Sequence, residues 1–286
     1  SPYGSRHTSN IVLSHALTPG NPYCASVLRD EAAPPAERYK MTAWFEQWTD
    51  GLSPFNGAAA FHSPDGLLWQ PYRDASPYVE LSIRVNCISP DRLAGEYVSW
   101  QVIRRRVAAG KETYERDLMT GFERVIAMQT SPDFVHWNAP RVIIEPTPDD
   151  PDLTQFYGMG GFRYGNRWLG TLWMYYVHDQ SMDLELALSR DGQTWTRPFP
   201  GRRLVTLGAG GEFDSGMILS ATAPVIVGDQ LYIYYGGHDH RHDESGYGAI
   251  GLATLRLDGW AGLQAGRRGL LESRPFAFQG ETLALN

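Results

Sequence analysis

The sequence has no apolar run long enough to cross a membrane as a helix. Nor do apolar residues hold helical spacing over any long window, which excludes a helical bundle and points to strands. Charged residues make up only 20%, against 42% hydrophobic, too few for global disorder and enough apolar content for a sizeable core. The chain has no long basic stripe; Arg104 to Arg106 is a short run, and a formal net charge of −7 speaks against nucleic-acid binding. Cysteine is scarce. Cys24 and Cys87 do not make a disulfide framework, and both lie among apolar residues in expected strands, as buried thiols would. No signal-peptide pattern opens the sequence. The expectation is a soluble protein whose compartment, secreted or periplasmic included, stays open, as does its oligomeric state.

What is present in quantity is turn-forming and aromatic: 30 glycines, 19 prolines and 12% Phe, Trp and Tyr in 286 residues. That mixture suits many short strands joined by tight turns. The strongest signal is an internal repeat. SPDGLLW at Ser63 to Trp69 returns as SPDFVHW at Ser131 to Trp137 and as SRDGQTW at Ser189 to Trp195, with a degenerate fourth copy, LDGW, at Leu257 to Trp260. The aspartates stand at 65, 133, 191 and 258, which is the recurrence of a repeat architecture. Each copy follows a strand-like stretch (GAAAFH, ERVIAMQT, LELALS, AIGLATLRL), with two more upstream, so each unit supplies three strands, a turn and a fourth strand. Repeated four-stranded antiparallel sheets around an axis make a propeller. Asp and Ser side chains hold such turns by accepting backbone N–H groups, and Gly66 and Gly192 supply positive φ, so Asp65, Asp133 and Asp191 read as structural.

These residues also carry a resemblance. SPDFVHW resembles a turn of invertase- and levanase-like enzymes, and the strand order is similar to the five-bladed furanosidase superfamily of fructosidases, arabinanases and xylosidases. Similar still are uncharacterised bacterial proteins related to the N-terminal propeller of fructosidases, which share PPAERYKM (Pro34 to Met41), FYGM (Phe156 to Met159), FDSGM (Phe213 to Met217), GDQLYIYYGG (Gly228 to Gly237) and IGLATLRLDG (Ile250 to Gly259). The resemblance implies an all-β, five-bladed β-propeller of four-stranded antiparallel blades over residues 1–272. Residues 273–286 would open a C-terminal extension or the linker to a β-sandwich. The fifth blade would come from SNIVLSH and the tail after Trp260. It implies carbohydrate as partner, an oligosaccharide or glycoside, with no cofactor, no nucleic acid and no membrane.

Propellers bind ligands over the central channel, where the innermost strands begin, and glycosidic cleavage usually takes two carboxylates. The superfamily sets an acidic residue near the start of three innermost strands. This chain departs from that pattern: the corresponding places read Asn21 or Asp30, Arg84 and Asn86, Gln155, then Glu212 and Asp214. Asp214, in GGEFDSGM, is the leading catalytic candidate, with a capping carboxylate as the alternative. Glu212 would share its face in a regular strand and raise its pKa, or else be a solvated loop charge. Asp30, in VLRD, reads as a base, a sugar ligand or a turn residue. Arg84, Asn86, Gln155 and Tyr157 read as binding groups for hydroxyls or a carboxylate. Trp44, Trp48, Trp100 and Trp173 read as sugar platforms or as packing between blades. His238, His240 and His242 alternate, a pattern open to zinc, to proton transfer by His238 or His240, or to a solvated loop. Three functions follow: a glycoside hydrolase, a non-hydrolytic sugar enzyme (transfer or elimination), and a non-catalytic sugar-binding propeller.

Overall fold

A computed structural model describes residues 12–13, 21–46, 56–72, 88–107 and 121–282. Seventeen strands account for its regular structure, with one 3-10 turn at Pro35–Glu37 and no α-helix among the described residues. No helix there is long and apolar enough to cross a membrane.

The strands assemble as up-and-down sheets in chain order. The first sheet is β1 (Asn21–Arg29), β2 (Tyr39–Glu46), β3 (Asn56–Ser63) and β4 (Gln70–Pro71). The second is β5 (Ile88–Leu93), β6 (Glu96–Arg106), β7 (Phe122–Ser131) and β8 (Arg141–Ile144). The third comprises β9 (Thr154–Tyr164), β10 (Arg167–Tyr176), β11 (Ser181–Ser189), and the short outer strands β12 (Trp195–Thr196) and β13 (Arg203–Val205). In the fourth, β14 (Met217–Ser220) and β15 (Val225–Val227) pair with the same edge of β16 (Gln230–His238), as one interrupted strand, and β17 (Gly248–Arg256) takes the other edge. A parallel bridge between Met182 and Met217 joins the third and fourth units into a nine-stranded sheet. The described residues thus hold four such units, and 257–282 carry no strand.

Strand direction fixes two ends. Asp30, just past β1, meets Tyr97, which pairs with Arg92 near the close of β5. The close of β9 meets the turn after β17 through Tyr164 and Asp258. The four Asp turns therefore lie at one end, the base, and the first strand of each unit begins at the other, the mouth.

The turns themselves repeat atom for atom. The Asp65 carboxylate accepts the backbone N–H groups of Leu67 and Leu68 at 2.8 and 2.9 Å. Asp133 does the same with Val135 and His136, and Asp191 with Gln193 and Thr194. Each tryptophan indole donates back into its own turn, Trp195 to the Gly192 carbonyl at 3.0 Å. The second copy has Phe134 where the others have glycine, and it keeps the left-handed backbone at φ 68° while burying its ring against Tyr97 and Trp137. In the degenerate copy, Asp258 accepts the Tyr164 hydroxyl at 2.7 Å and Trp260 packs on Phe162.

Neighbouring units meet through aromatic layers. Because strand residues alternate faces, β6 sends Val98, Trp100 and Val102 toward the third unit and Tyr97 toward the first. Trp100 is fully buried, donates to the Gly192 carbonyl at 3.0 Å, and packs against Trp168 and Trp195 with centroids 5.2 and 5.5 Å away. Gly161 faces its ring so closely that a Cβ there would collide. Trp44 and Trp173 are likewise 3% and 7% exposed, in layers between units. Cys24 departs from expectation: it is exposed, at a bulge in β1 where its φ is 46°. Cys87 and Trp48 lie outside the described residues.

One face of the fourth unit stays open. Val225, Tyr234, Ile250 and Leu252 are 41–82% exposed on it. The first unit turns Met41, Ala43, Phe61 and Trp69 into a separate cluster, against which Leu13 packs.

Candidate functional site

At the mouth, Gln155 stands second in β9 and is 7% exposed. Its Oε1 accepts from Arg124 Nη1 at 2.8 Å and from the Arg124 backbone N–H at 3.2 Å. Arg124, on β7, is itself 3% exposed, and its guanidinium lies 4.7 Å from the Tyr157 ring centroid and 5.2 Å from that of Tyr175. A cation over two aromatic faces is held by the ring quadrupoles. Tyr157, half-buried on β9, meets Tyr175 edge to face at 5.5 Å.

Across this cluster runs the loop 239–247 from β16 to β17. It is closed by the Asp239 carboxylate, which accepts the Tyr247 N–H at 2.8 Å, and pinned by the His242 N–H to the Gln180 carbonyl at 2.8 Å. The three histidines part company here. His238 ends β16 with its ring edge-on to His240 at 5.2 Å, and burial followed by the His240 charge lowers its pKa. His242 turns instead to Tyr157, with 2.8 Å between its Nε2 and the phenol oxygen. Among the described residues no group of three His, Cys, Asp or Glu could hold a metal ion.

Asp214 lies before β14 in a turn rather than in a strand, and is 8% exposed. Tyr235 on β16 donates to its Oδ2 at 2.7 Å; burial, then this carboxylate, pushes the Tyr235 phenol up to about 12. Room for the carboxylate depends on glycine. A Cβ on Gly237 would sit 2.6 Å from the Asp214 Cβ, and one on Gly208 would strike its Oδ1. Glu212 does not share a strand face with Asp214, because the segment turns, with the Glu212 N–H donating to the Ala209 carbonyl; its side chain is exposed.

Asp30 is placed elsewhere. It is 4% exposed at the base, where its Oδ2 accepts the Tyr97 hydroxyl at 2.7 Å and its Oδ1 accepts the Ala32 N–H at 3.0 Å. β1 has nine residues, and at ~3.3 Å each it holds Asp30 on the order of 25 Å or more from the mouth. As a base for chemistry at Asp214 it is therefore corrected to a tie between the first two units. Trp173 is corrected in the same way. Its indole covers Gly158, where a Cβ would come within 2.6 Å of the ring, and donates to Ser220 Oγ at 2.9 Å, which leaves no open face for a sugar. Arg84 and Asn86 lie outside the described residues.

No protein-family profile matches the chain. No curated protein matches it in sequence. Solved structures do match in fold. A glycoside hydrolase aligns at TM-score 0.52 and 14% identity over 76% of this chain and 62% of its own. The GH32 β-fructofuranosidase of Bombyx mori aligns at 0.55 and 12% over 84% and 47%. The β-1,2-mannobiose phosphorylase of Listeria innocua aligns at 0.54 and 14% over 83% and 58%. The fold is that of propeller-type glycoside hydrolases. The chain spans between about half and two thirds of the length of these matches.

Sequence reasoning passed over Arg124, Tyr175, Gln180 and Tyr235. The paired Tyr175–Tyr176 at the close of β10 was the available signal, since β10 ends at the mouth.

Proposed function

We propose that this chain is a five-bladed propeller glycoside hydrolase that cleaves O-glycosidic bonds at the mouth, with Asp214 as a catalytic carboxylate and Gln155, Tyr157 and His238 or His240 binding the sugar. The observation that carries this reading is the set of buried and half-buried hydrogen-bonding side chains at the starts of β9 and β14, on a fold shared with glycoside hydrolases. A fifth blade, to which the described tail 257–282 supplies no strand, would cover the open face of the fourth unit and the Met41–Phe61–Trp69 face of the first. That closure would bury both faces between neighbouring blades. The propeller would span residues 1–272, with 273–286 as its extension.

One observation favours a second reading, a sugar-binding propeller without catalysis. Among the described residues Asp214 is the one buried carboxylate at the start of an innermost strand, and hydrolysis ordinarily takes a pair. Hydrolysis of a panel of nitrophenyl furanosides, pyranosides and natural oligosaccharides, with Asp214→Asn beside the wild type, separates the two. Turnover that collapses in the variant supports the hydrolase. A sugar that raises the melting temperature without turnover supports the binder.

A further inference from the structure

The hydrogen bonds around His242 have a direction that can be worked out from one fixed end. The Gln180 side-chain amide donates to the Val177 carbonyl at 2.7 Å, so its Oε1 is the acceptor for the Tyr175 hydroxyl at 2.8 Å. The Tyr175 proton is thereby committed, and its oxygen faces His242 Nδ1 at 3.4 Å as an acceptor. In the neutral ring this places the His242 proton on Nδ1 and leaves Nε2 with a lone pair aimed at the Tyr157 hydroxyl 2.8 Å away. In that tautomer Tyr157 donates and His242 accepts. This is the arrangement of an activated hydroxyl: a weak acid, a base within hydrogen-bond reach, and a third group that orients the base.

We propose that Tyr157 is a catalytic residue of the mouth site and His242 its proton acceptor, with Tyr175 and Gln180 as positioning residues. The inference rests on the hydrolase reading and supplies the base that the described carboxylates do not. A water at the anomeric carbon gives its proton to Tyr157 Oη as the Tyr157 proton passes to His242 Nε2. The water oxygen bonds to the anomeric carbon and the glycosidic C–O bond breaks. The departing oxygen takes a proton from solvent while the Asp214 carboxylate stabilises the positive charge that develops on the sugar, and the His242 proton passes to solvent. The charged and titratable groups facing the pair include Arg124 from β7 and Tyr175 from β10, with Arg241 and Asp243 flanking His242 in its loop.

Two measurements test the pair on the intact chain. Nitrogen-15 NMR of the histidines reads the tautomer: His242 should be the Nδ1–H form, and Tyr157→Phe should raise its pKa, because a donor on Nε2 favours the neutral ring. An Nε2–H tautomer, or a titration indifferent to Tyr157→Phe, overturns the inference. On any substrate from the glycoside panel, Tyr157→Phe and His242→Gln should each lower kcat by about 10²-fold with KM little changed, and His242→Gln should remove the acidic limb of the pH profile. Turnover undiminished in Tyr157→Phe overturns the inference alone. A wild type that turns over nothing overturns the hydrolase reading and the inference with it.

Discussion

The Asp30 carboxylate accepts the Tyr97 hydroxyl at 2.7 Å, both groups buried, across the seam between the first two units. A carboxylate in that position works on folding rather than on substrate. Burial, then the Asp30 hydrogen bond, pushes the Tyr97 phenol well above its ordinary value, so the proton stays on tyrosine. Asp30→Asn keeps the shape but weakens a charge-assisted bond. It should cost about 1–3 kcal/mol in denaturant unfolding and leave sugar turnover or binding unchanged. A variant of wild-type stability with lost activity would put Asp30 back in the site.

Gly208 tests the placement of Asp214 from the other side. Its missing side chain makes room for the Asp214 Oδ1. Gly208→Ala should push the carboxylate off Tyr235, so that the Tyr235 phenol falls from about 12 toward its ordinary value near 10. Tyrosinate absorbance against pH reads that shift. Activity should fall with it, while Gly210→Ala, where a Cβ meets nothing within 4 Å, should be silent.

The buried ion triad between the second and third units carries a stability prediction. Arg197 bridges Asp150 at 2.6 Å and Glu185 at 2.8 Å, and all three side chains are at most 5% exposed. Removing the cation leaves two buried carboxylates facing each other, so Arg197→Met should destabilise by about 3–5 kcal/mol. Replacing all three with apolar residues of similar volume should recover most of that loss. A mild effect of Arg197→Met, measured by urea midpoint, would mean that water reaches the triad.

Acid should loosen the turns at the base. Two backbone N–H groups, those of Thr194 and Gln193, hold the Asp191 carboxylate down at about 2. A carboxylate depressed in the folded chain stabilises it fully above its unfolded value near 3.9, and that stability is lost as pH falls toward about 2. Urea midpoints between pH 5 and 2 should therefore fall more steeply for the wild type than for Asp191→Asn. Because Asp191 is exposed, the difference should be small and should shrink in salt.

Some of this was readable from residues alone because the physics is local. The Ser-x-Asp turn closes on backbone groups within three residues of the aspartate, so SPDGLLW, SPDFVHW and SRDGQTW announced the same geometry wherever they occurred. Strands such as RWLGTLWMYY carried their own period and ran as β10 over Arg167–Tyr176. Trp100 and Trp173 could be read as platform or packing. The choice turned on Gly161 and Gly158, which lie next to their rings only after β9 pairs with β10 and packs against β6.

The candidate site was legible only in part, since a strand's direction decides which end of the molecule a residue occupies. VLRD and GEFDSGM look alike as carboxylates beside strands, yet one closes β1 and the other precedes β14. Spacing placed His238, His240 and His242 on one face. The chain turns after His238, so the third ring went to Tyr157 from 85 positions away.

By itself the sequence determined the repeat, the all-β class and the turns, because short-range hydrogen bonds and two-residue periodicity need no distant partner. Only the tertiary structure decided that Asp30 and Asp214 stand at opposite ends, that Arg124 covers Tyr157 and that His242 meets the Tyr157 hydroxyl. The two contacts of Tyr157 join residues 33 and 85 positions apart, and nothing in their local sequence fixes which will meet.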